Sequence, residues 1–220
     1  MNSFEPRFDV LPTAQREIWP LLAPCAEMGL VLYGGTAVAL RFGHRQSIDF
    51  DFFTERDLNK GELKRIFLAD SAATVLQDRF DTFTVLVPVP DGSVKLSFFG
   101  QISFGRVGSP DRTSDGVLIV ASAVDLLANK LKVIHQRIEA KDYCDIATIL
   151  RSGMPLEDGL AAASALFSPG FQPSEAVKNL TCFEGGDLHI LPEADRRLLT
   201  NCSVRLRRVP VLPVISRSLS

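Results

Sequence analysis

Two carboxylates separated by one residue, Asp49 and Asp51, follow shortly after the diglycine pair Gly34-Gly35. Successive side chains of a β-strand point to opposite faces, so these two acids would share a face, with Cα atoms roughly 6.5–7 Å apart. Carboxylates this close repel each other unless a cation lies between them. Mg²⁺ prefers such oxygen ligands and is often completed by substrate phosphates. The spacing therefore predicts a site for Mg²⁺ or Mn²⁺ at Asp49 and Asp51.

The neighbouring residues are suited to binding phosphate. A glycine bend lets main-chain amides approach a phosphate, and the start of a helix presents such amides. Thr36 is predicted to cap a helix over residues 37–42. Ser47 lies two residues before Asp49, on the same predicted face, where its hydroxyl would donate to a phosphate oxygen. Arg45 would neutralise triphosphate charge, and the alternative is that it lies in a solvated loop. The candidate nucleotide-binding residues here are Gly34, Gly35, Thr36, Arg45 and Ser47.

An isolated Asp-x-Asp pair is more often an edge strand whose acids face water. The order along this chain favours a functional site instead. A short apolar run over residues 30–33 precedes Gly34-Gly35-Thr36, a helix and a loop follow, and the acidic strand comes next. In the acidic strand, Ile48, Phe50 and Phe52 alternate with the acids and are predicted to lie in the core.

A second candidate cluster lies further along the chain. Lys130, Arg137 and Lys141 fall within about 40° of one another if they share a continuous helix. Lys130 and Arg137 are candidates for binding a nucleoside triphosphate. Asp145 lies near them if the helix does not break at Asp142, and would hold Lys130 or activate a hydroxyl. The alternative is a solvent-facing helix surface with salt bridges.

The remaining pattern predicts a mixed α/β part over residues 1–120 and a helical part over residues 121–220. Ser122 and Asp125 resemble a capping box at the start of the helical part. Further strands are expected at 82–89, 93–99, 102–104 and 116–120, and further helices at 58–72, 142–150 and 155–167. Pro90-Asp91-Gly92 is a turn signal between the first two of these strands, 82–89 and 93–99.

Composition sets broad limits on the class of protein. The chain has 220 residues, of which 46% are hydrophobic, and its net charge is −2, so no global field favours nucleic acid. The four cysteines are far apart in sequence, which favours neither a zinc site nor a disulfide framework, and a cytoplasmic protein without a membrane segment is expected. Six arginines among the last thirty residues form a mildly basic end that would contact RNA or remain solvated.

Together these motifs resemble the AbiEii/AbiGii-type nucleotidyltransferase family of the DNA polymerase β-like superfamily. The resemblance spans roughly residues 28–150. It implies an α+β fold, in which helices flank a small mixed β-sheet and a helical C-terminal part follows. It also implies Mg²⁺-dependent transfer of a nucleoside monophosphate from an NTP to an RNA or protein hydroxyl. Some members are toxins of toxin–antitoxin pairs and some modify tRNA ends, so tRNA and an antitoxin protein are expected partners.

The resemblance also assigns roles to residues. Ser47 and Asp49 match a Ser-x-Asp element, and Asp51 matches the second metal carboxylate. Lys130 matches the triphosphate-binding lysine, and Asp145, less securely Asp142, matches a late aspartate.

One position departs from the superfamily pattern. Ser97 stands where a third carboxylate is usual, and serine supplies no negative charge to a second metal ion. A catalytically degenerate binding protein is therefore the alternative function. A hydrolase metal site is a weaker alternative, and the wide spacing of His44, His135 and His189 disfavours a histidine-based centre.

Overall fold

The computed structural model describes residues 2–69 and 72–220, which divide by their packing into two units. The first unit runs to Gly105 and includes Ser109–Ala121 and Arg217–Ser220. The second unit consists of Arg106–Gly108 and Ser122–Ser216. Arg106–Gly108 and Arg217–Ser220 thus pack with the other unit than the predicted ranges 1–120 and 121–220 assign to them.

The first unit contains a mixed β-sheet with helices. Its strands are β1 (Ser3–Phe4), β2 (Val31–Tyr33), β3 (Asp49–Phe53), β4 (Thr74–Arg79), β5 (Thr82–Val89), β6 (Gly92–Phe99), β7 (Asp111–Thr113) and β8 (Ile119–Val120). Its helices are α1 (Thr13–Ile18), α2 (Pro24–Glu27), α3 (Gly34–Phe42) and α4 (Lys60–Phe67). The strand order is β1-β7-β8-β2-β3-β6-β5-β4. The predicted mixed α/β class is confirmed.

Strand β3, which carries Asp49 and Asp51, is an interior strand of the sheet. β3 pairs antiparallel with β2 and parallel with β6. Phe50 and Phe52 are fully buried, and the Phe52 ring stacks on Phe98 with a centroid distance of 5.3 Å. Burying each phenylalanine contributes roughly 1.5–3 kcal/mol. A slip of one residue would move these rings to the other face and bury the carboxylates, so core packing holds the register.

Several predicted elements differ in the structure. β3 begins at Asp49, and Ile48 is 68% exposed, so its expected place in the core was wrong. Residues 102–104 form no strand. Helix α4 ends at Phe67, and residues 70 and 71 of the predicted 58–72 helix lie outside the described residues. Strand β4 was missed because its side chains are largely exposed on both faces, which removes the alternation that identifies a strand.

Arg41 fixes the far end of α3. Its Nη1 lies 2.8 Å from an oxygen of Asp111, and its Nε donates to the main-chain carbonyl of Ala121 at 3.0 Å. The guanidinium also lies over the Phe4 ring, 4.5 Å from its centroid. Helix α3 is thereby tied to strands β1, β7 and β8, so its first turn has a defined position beside β3.

The second unit is helical. Its helices are α5 (Ala123–Val133), α6 (Ala140–Arg151), α7 (Leu156–Phe167), α8 (Pro173–Thr181) and α9 (Glu193–Arg205). The Ser122 side chain caps α5 by accepting from the Asp125 amide, as predicted. The Asp125 carboxylate accepts from the amides of Val107 and Gly108, which holds this short segment in the unit. Among the described residues, no helix is long and apolar enough to span a membrane.

Candidate active site

The exposed face of β3 carries the two predicted carboxylates. Asp49 and Asp51 are partly exposed, whereas Phe50 and Phe52 between and after them are buried. The strand therefore has one apolar face and one acidic face, as its period of two predicts. Whether these acids bind a metal ion stays a prediction.

The bend after β2 brings main chain against Asp51. Tyr33 is the register partner of Asp51, and Gly34 follows directly as the first residue of α3, with φ +74°. A Cβ atom added to Gly34 would lie 2.7 Å from Asp51 Oδ2. Only glycine combines this positive φ with this close approach, so the diglycine positions the carboxylate beside the helix N-terminus.

We expect Gly34→Ala to be more destabilising than Gly116→Ala. Both glycines have a φ near +75°, but a Cβ at Gly116 would meet nothing within 4 Å. The shared cost of the left-handed backbone is about 1–2 kcal/mol. Urea denaturation of the two variants measures the loss in the free energy of unfolding. The additional loss in Gly34→Ala, compared with Gly116→Ala, would come from the contact with Asp51. Equal losses in both variants would contradict this account of Gly34.

Thr36 connects α3 to the beginning of β3. It is buried as the third residue of α3 rather than its cap, so the predicted capping role was wrong. Its hydroxyl lies 2.9 Å from Ser47 Oγ and donates to the main-chain carbonyl of Asp49. The cap position falls on Tyr33, the last residue of β2, because the helix starts directly at the end of that strand. Thr36 thus orients both Ser47 and Asp49.

Gly35 lies against Ser47 and Arg45. A Cβ at Gly35 would lie 2.5 Å from Arg45 Nη2 and 3.0 Å from Ser47 Oγ. Arg45 Nη1 also donates to the Gln46 carbonyl at 2.8 Å. The structure therefore places these three residues together. The first amides of α3 lie in the same place, and such amides have no intrahelical acceptor.

Strand β6 supplies the rest of the acidic face. In the parallel register, Lys95 is opposite Asp49 and Ser97 is opposite Asp51. Lys95 Nζ lies 3.0 Å from Asp49 Oδ2. Ser97 is only 5% exposed. Lys95 was missed in the sequence, although the alternation in β6 that points Ser97 to this face does the same for Lys95.

These residues fit one divalent cation. Asp49 and Asp51 provide hard oxygen ligands, and the absence of a Gly34 side chain lets the Asp51 carboxylate pack against the first turn of α3. Within residues 2–69 and 72–220, no cluster of three or more histidine, cysteine or acidic side chains has a metal-binding arrangement. A cation held here would therefore need further ligands from water or phosphate.

The predicted basic stripe on one helix does not exist. Helix α5 ends at Val133 and α6 begins at Ala140, so Lys130, Arg137 and Lys141 share no continuous helix. The exposed Lys141 pairs with Glu139 at 2.7 Å. The packing of α6 against α5 sets the true neighbours of Lys130.

Lys130 is buried between two carboxylates of the second unit. Its Nζ lies 2.7 Å from Asp142 Oδ1 and 2.6 Å from Asp145 Oδ2, and both aspartates are fully buried. Arg137 Nε lies 2.8 Å from Asp142 Oδ2. Two cations and two carboxylates thus neutralise each other within this cluster. The assignments of Lys130, Arg137 and Asp145 to a nucleotide stay predictions.

The pKa of Asp142 reflects this arrangement. Burial acts to raise it, but Lys130 and Arg137 outweigh burial and hold the pKa below its ordinary value. Because the folded pKa is depressed, the stability contributed by this carboxylate is present at neutral pH. It is lost as the pH falls through the folded pKa.

Part of the chain is similar in sequence to a known protein. An uncharacterised protein of Aquifex aeolicus (strain VF5) is 34% identical over 122 residues. That match covers 54% of this chain, which spans 57% of the relative's length.

Two solved structures are similar in fold. MenT4, a nucleotidyltransferase toxin of Mycobacterium tuberculosis H37Rv, has a TM-score of 0.56 at 15% identity, and the similarity covers 85% of this chain and 81% of MenT4. The antibiotic-resistance factor ANT(2'')-Ia has a TM-score of 0.51 at 19% identity, covering 68% of this chain and 89% of that protein. At these identities the similarity shows the fold alone.

The family is shown by a match to a sequence model. The model described as nucleotidyl transferase AbiEii toxin, type IV TA system, matches residues 26–177, which is more than half of the chain. That range includes the diglycine, the acidic strand and the Lys130 cluster. The predicted resemblance is thus confirmed, and the chain belongs to the AbiEii nucleotidyltransferase toxin family.

Proposed function

We propose that this protein transfers a nucleoside monophosphate from an NTP to a hydroxyl group, with Mg²⁺ or Mn²⁺ at Asp49 and Asp51. The observation that carries the proposal is the acidic face of β3 beside the first turn of α3. Gly34 approaches the Asp51 carboxylate there, and Gly35 lies against Arg45. Anionic ligands for a cation and cationic groups for a phosphate are thus adjacent, which is what a metal–triphosphate substrate requires.

The reaction is an in-line displacement at the α-phosphorus. The acceptor oxygen forms the new P–O bond as the bond to the bridging oxygen breaks, and pyrophosphate leaves with that electron pair. When bound, the divalent cation would neutralise charge on the phosphates and act as a Lewis acid. The acceptor hydroxyl loses its proton to a base.

The residues of the first unit have distinct roles in this proposal. Asp49 and Asp51 hold the metal ion, and the amides of Gly34 and Gly35 bind phosphate oxygens, since the start of a helix favours anions. Arg45 neutralises triphosphate charge. Ser47 donates to a phosphate oxygen from a position that Thr36 sets.

The second unit supplies candidate groups as well. Lys130 and Arg137 are proposed to bind the triphosphate, and Asp145 is proposed to accept the hydroxyl proton. The ion pair between Lys130 and Asp145 places these two proposed groups side by side.

The exposed end of the second unit supports RNA as the acceptor. Arg205, Arg207 and Arg208 are exposed, and none of them has an ion pair within the part of the chain that the structure describes. Arginines of this kind bind phosphates and supply sequence-independent affinity for nucleic acid. A tRNA end is the acceptor expected for this family, with a protein hydroxyl as the alternative and an antitoxin as the cellular partner.

The proposal is tested by following two labels. The purified protein is incubated with Mg²⁺, bulk tRNA and each NTP labelled with ³²P at either the α- or the γ-phosphate. We expect label in the RNA from one α-labelled NTP, and loss of transfer with EDTA. Label from the γ-phosphate would indicate phosphoryl transfer and overturn the proposal. Label in the protein alone would move the acceptor to a protein hydroxyl.

A nucleotide-binding protein without transferase activity is the second candidate. Ser97 favours it, because this residue places a hydroxyl opposite Asp51 where the superfamily usually has a carboxylate. This function predicts NTP binding that is either independent of Mg²⁺ or absent, and no product with any NTP. Calorimetry with each NTP, with and without Mg²⁺, separates the two functions.

A further inference from the structure

Lys95 faces the proposed metal site from strand β6. Its ammonium lies 3.0 Å from Asp49 Oδ2, and the two side chains are 39% and 38% exposed. The pairing follows from the parallel register of β3 and β6, which puts the two residues side by side on one face. Lys95 is therefore a fixed positive charge in direct contact with one of the two proposed metal ligands.

The same strand, β6, has a serine where the superfamily usually has a third carboxylate ligand. Ser97, two residues further on, lies opposite Asp51 and is nearly buried. The shared face of the two strands thus carries two carboxylates, one ammonium and one hydroxyl. A second divalent cation held by this face would need another anionic ligand and would lie close to the Lys95 ammonium.

We propose that Lys95 is the permanent second cation of this site and restricts it to a single divalent metal ion. The ammonium occupies one oxygen of Asp49 and repels a divalent cation beside it, so it lowers the affinity for the free ion. Uptake of the metal then depends on the additional negative charge of the triphosphate. The inference rests on the proposed function, because it assumes that Asp49 binds the metal.

A surface salt bridge without functional consequence is the simpler alternative. Exposed ion pairs are typically marginal for stability, and many contribute nothing measurable. This alternative predicts that removing the ammonium leaves metal binding unchanged. Metal affinity, rather than stability, therefore distinguishes the two.

The test is a titration of the full chain with Mn²⁺ alone, followed by electron paramagnetic resonance. We expect one weakly bound Mn²⁺ per wild-type chain and about tenfold tighter binding by Lys95→Met, as the loss of one adjacent positive charge implies. Lys95→Arg should retain the wild-type affinity. The matched control is Lys60→Met, which removes a lysine that pairs with Asp78 at 2.8 Å in the same unit, and it should change nothing.

The outcomes separate the inference from the proposed function. Unchanged Mn²⁺ affinity in Lys95→Met would overturn the role of Lys95, including the case in which neither protein binds Mn²⁺. If Asp49→Asn abolishes binding while Lys95→Met has no effect, the metal site stands and only the role of Lys95 fails. If Asp49→Asn leaves Mn²⁺ binding intact, the metal site of the proposed function is wrong.

The number of ions is tested by a second variant. Lys95→Met combined with Ser97→Asp restores a carboxylate on β6 and removes the ammonium. We expect this protein to bind two Mn²⁺ ions per chain, and one ion would contradict the proposed restriction. Because Ser97 is nearly buried, folding is checked by circular dichroism, and Lys95→Met alone decides the inference if the double variant does not fold.

Discussion

Replacing Asp51 with asparagine is expected to slow nucleotidyl transfer by about a thousandfold. The substitution preserves the shape of the side chain and removes the charge that would hold the divalent cation. A metal ion contributes several kcal/mol of transition-state stabilisation, and each ~1.4 kcal/mol corresponds to a factor of ten in rate. The rate is measured as transfer of label from the α-³²P NTP that the wild-type protein uses.

The fold should survive this substitution. Asp51 lies on the partly exposed face of β3, so we expect the free energy of unfolding in urea to change by less than about 1 kcal/mol. The matched control is Asp91→Asn, the same chemical change at an exposed turn between β5 and β6, which should leave transfer unchanged. A stable Asp51→Asn protein with near wild-type transfer would remove Asp51 from the proposed metal site.

The largest loss of stability is expected for Lys130→Ala. This variant leaves the carboxylates of Asp142 and Asp145 buried without the ammonium that neutralises them. Removing one partner of a buried ion pair costs about 3–5 kcal/mol, because the remaining charge is uncompensated. Urea denaturation monitored by circular dichroism measures this loss. Lys141→Ala removes an exposed lysine that pairs with Glu139, and should cost less than about 1 kcal/mol.

A triple variant separates the structural role of Lys130 from its proposed role in the reaction. Lys130→Met with Asp142→Asn and Asp145→Asn removes the buried charges together, and should recover part of the lost stability. If Lys130 binds the triphosphate and Asp145 accepts a proton, this folded protein should still lack transfer activity. Wild-type transfer by the triple variant would contradict both assignments.

The local parts of the site follow from sequence. The alternation of residues 48–53 predicts one acidic and one apolar face, and the structure confirms both faces except that Ile48 is exposed. Gly34 follows the same logic, because a bend between a strand and a helix needs a positive φ that glycine adopts without strain. The Ser122 cap was equally predictable, since a side chain that bonds to an amide three residues away depends on neighbours in the chain.

The contacts between distant residues were not predictable in this way. Nothing near Asp49 in sequence indicates that Lys95 neutralises it, because the pairing depends on the register between two strands far apart in the chain. The helix assumed over residues 130–141 was wrong for a similar reason. No proline or glycine marks the break after Val133, and the ion pair from Lys130 to Asp142 forms only after α6 packs beside α5.

The sequence by itself thus determined the family, the acidic strand and the glycine bend. The strand and the bend depend on residue types at short spacing, where strand and helix geometry translate position directly into orientation. The family depends on the order of these motifs along the chain. Only the tertiary structure decided which charges face one another. Asp49 meets Lys95, and Lys130 lies between two aspartates, because hydrophobic burial sets the strand register and helix packing, and the charged side chains must pair within that arrangement.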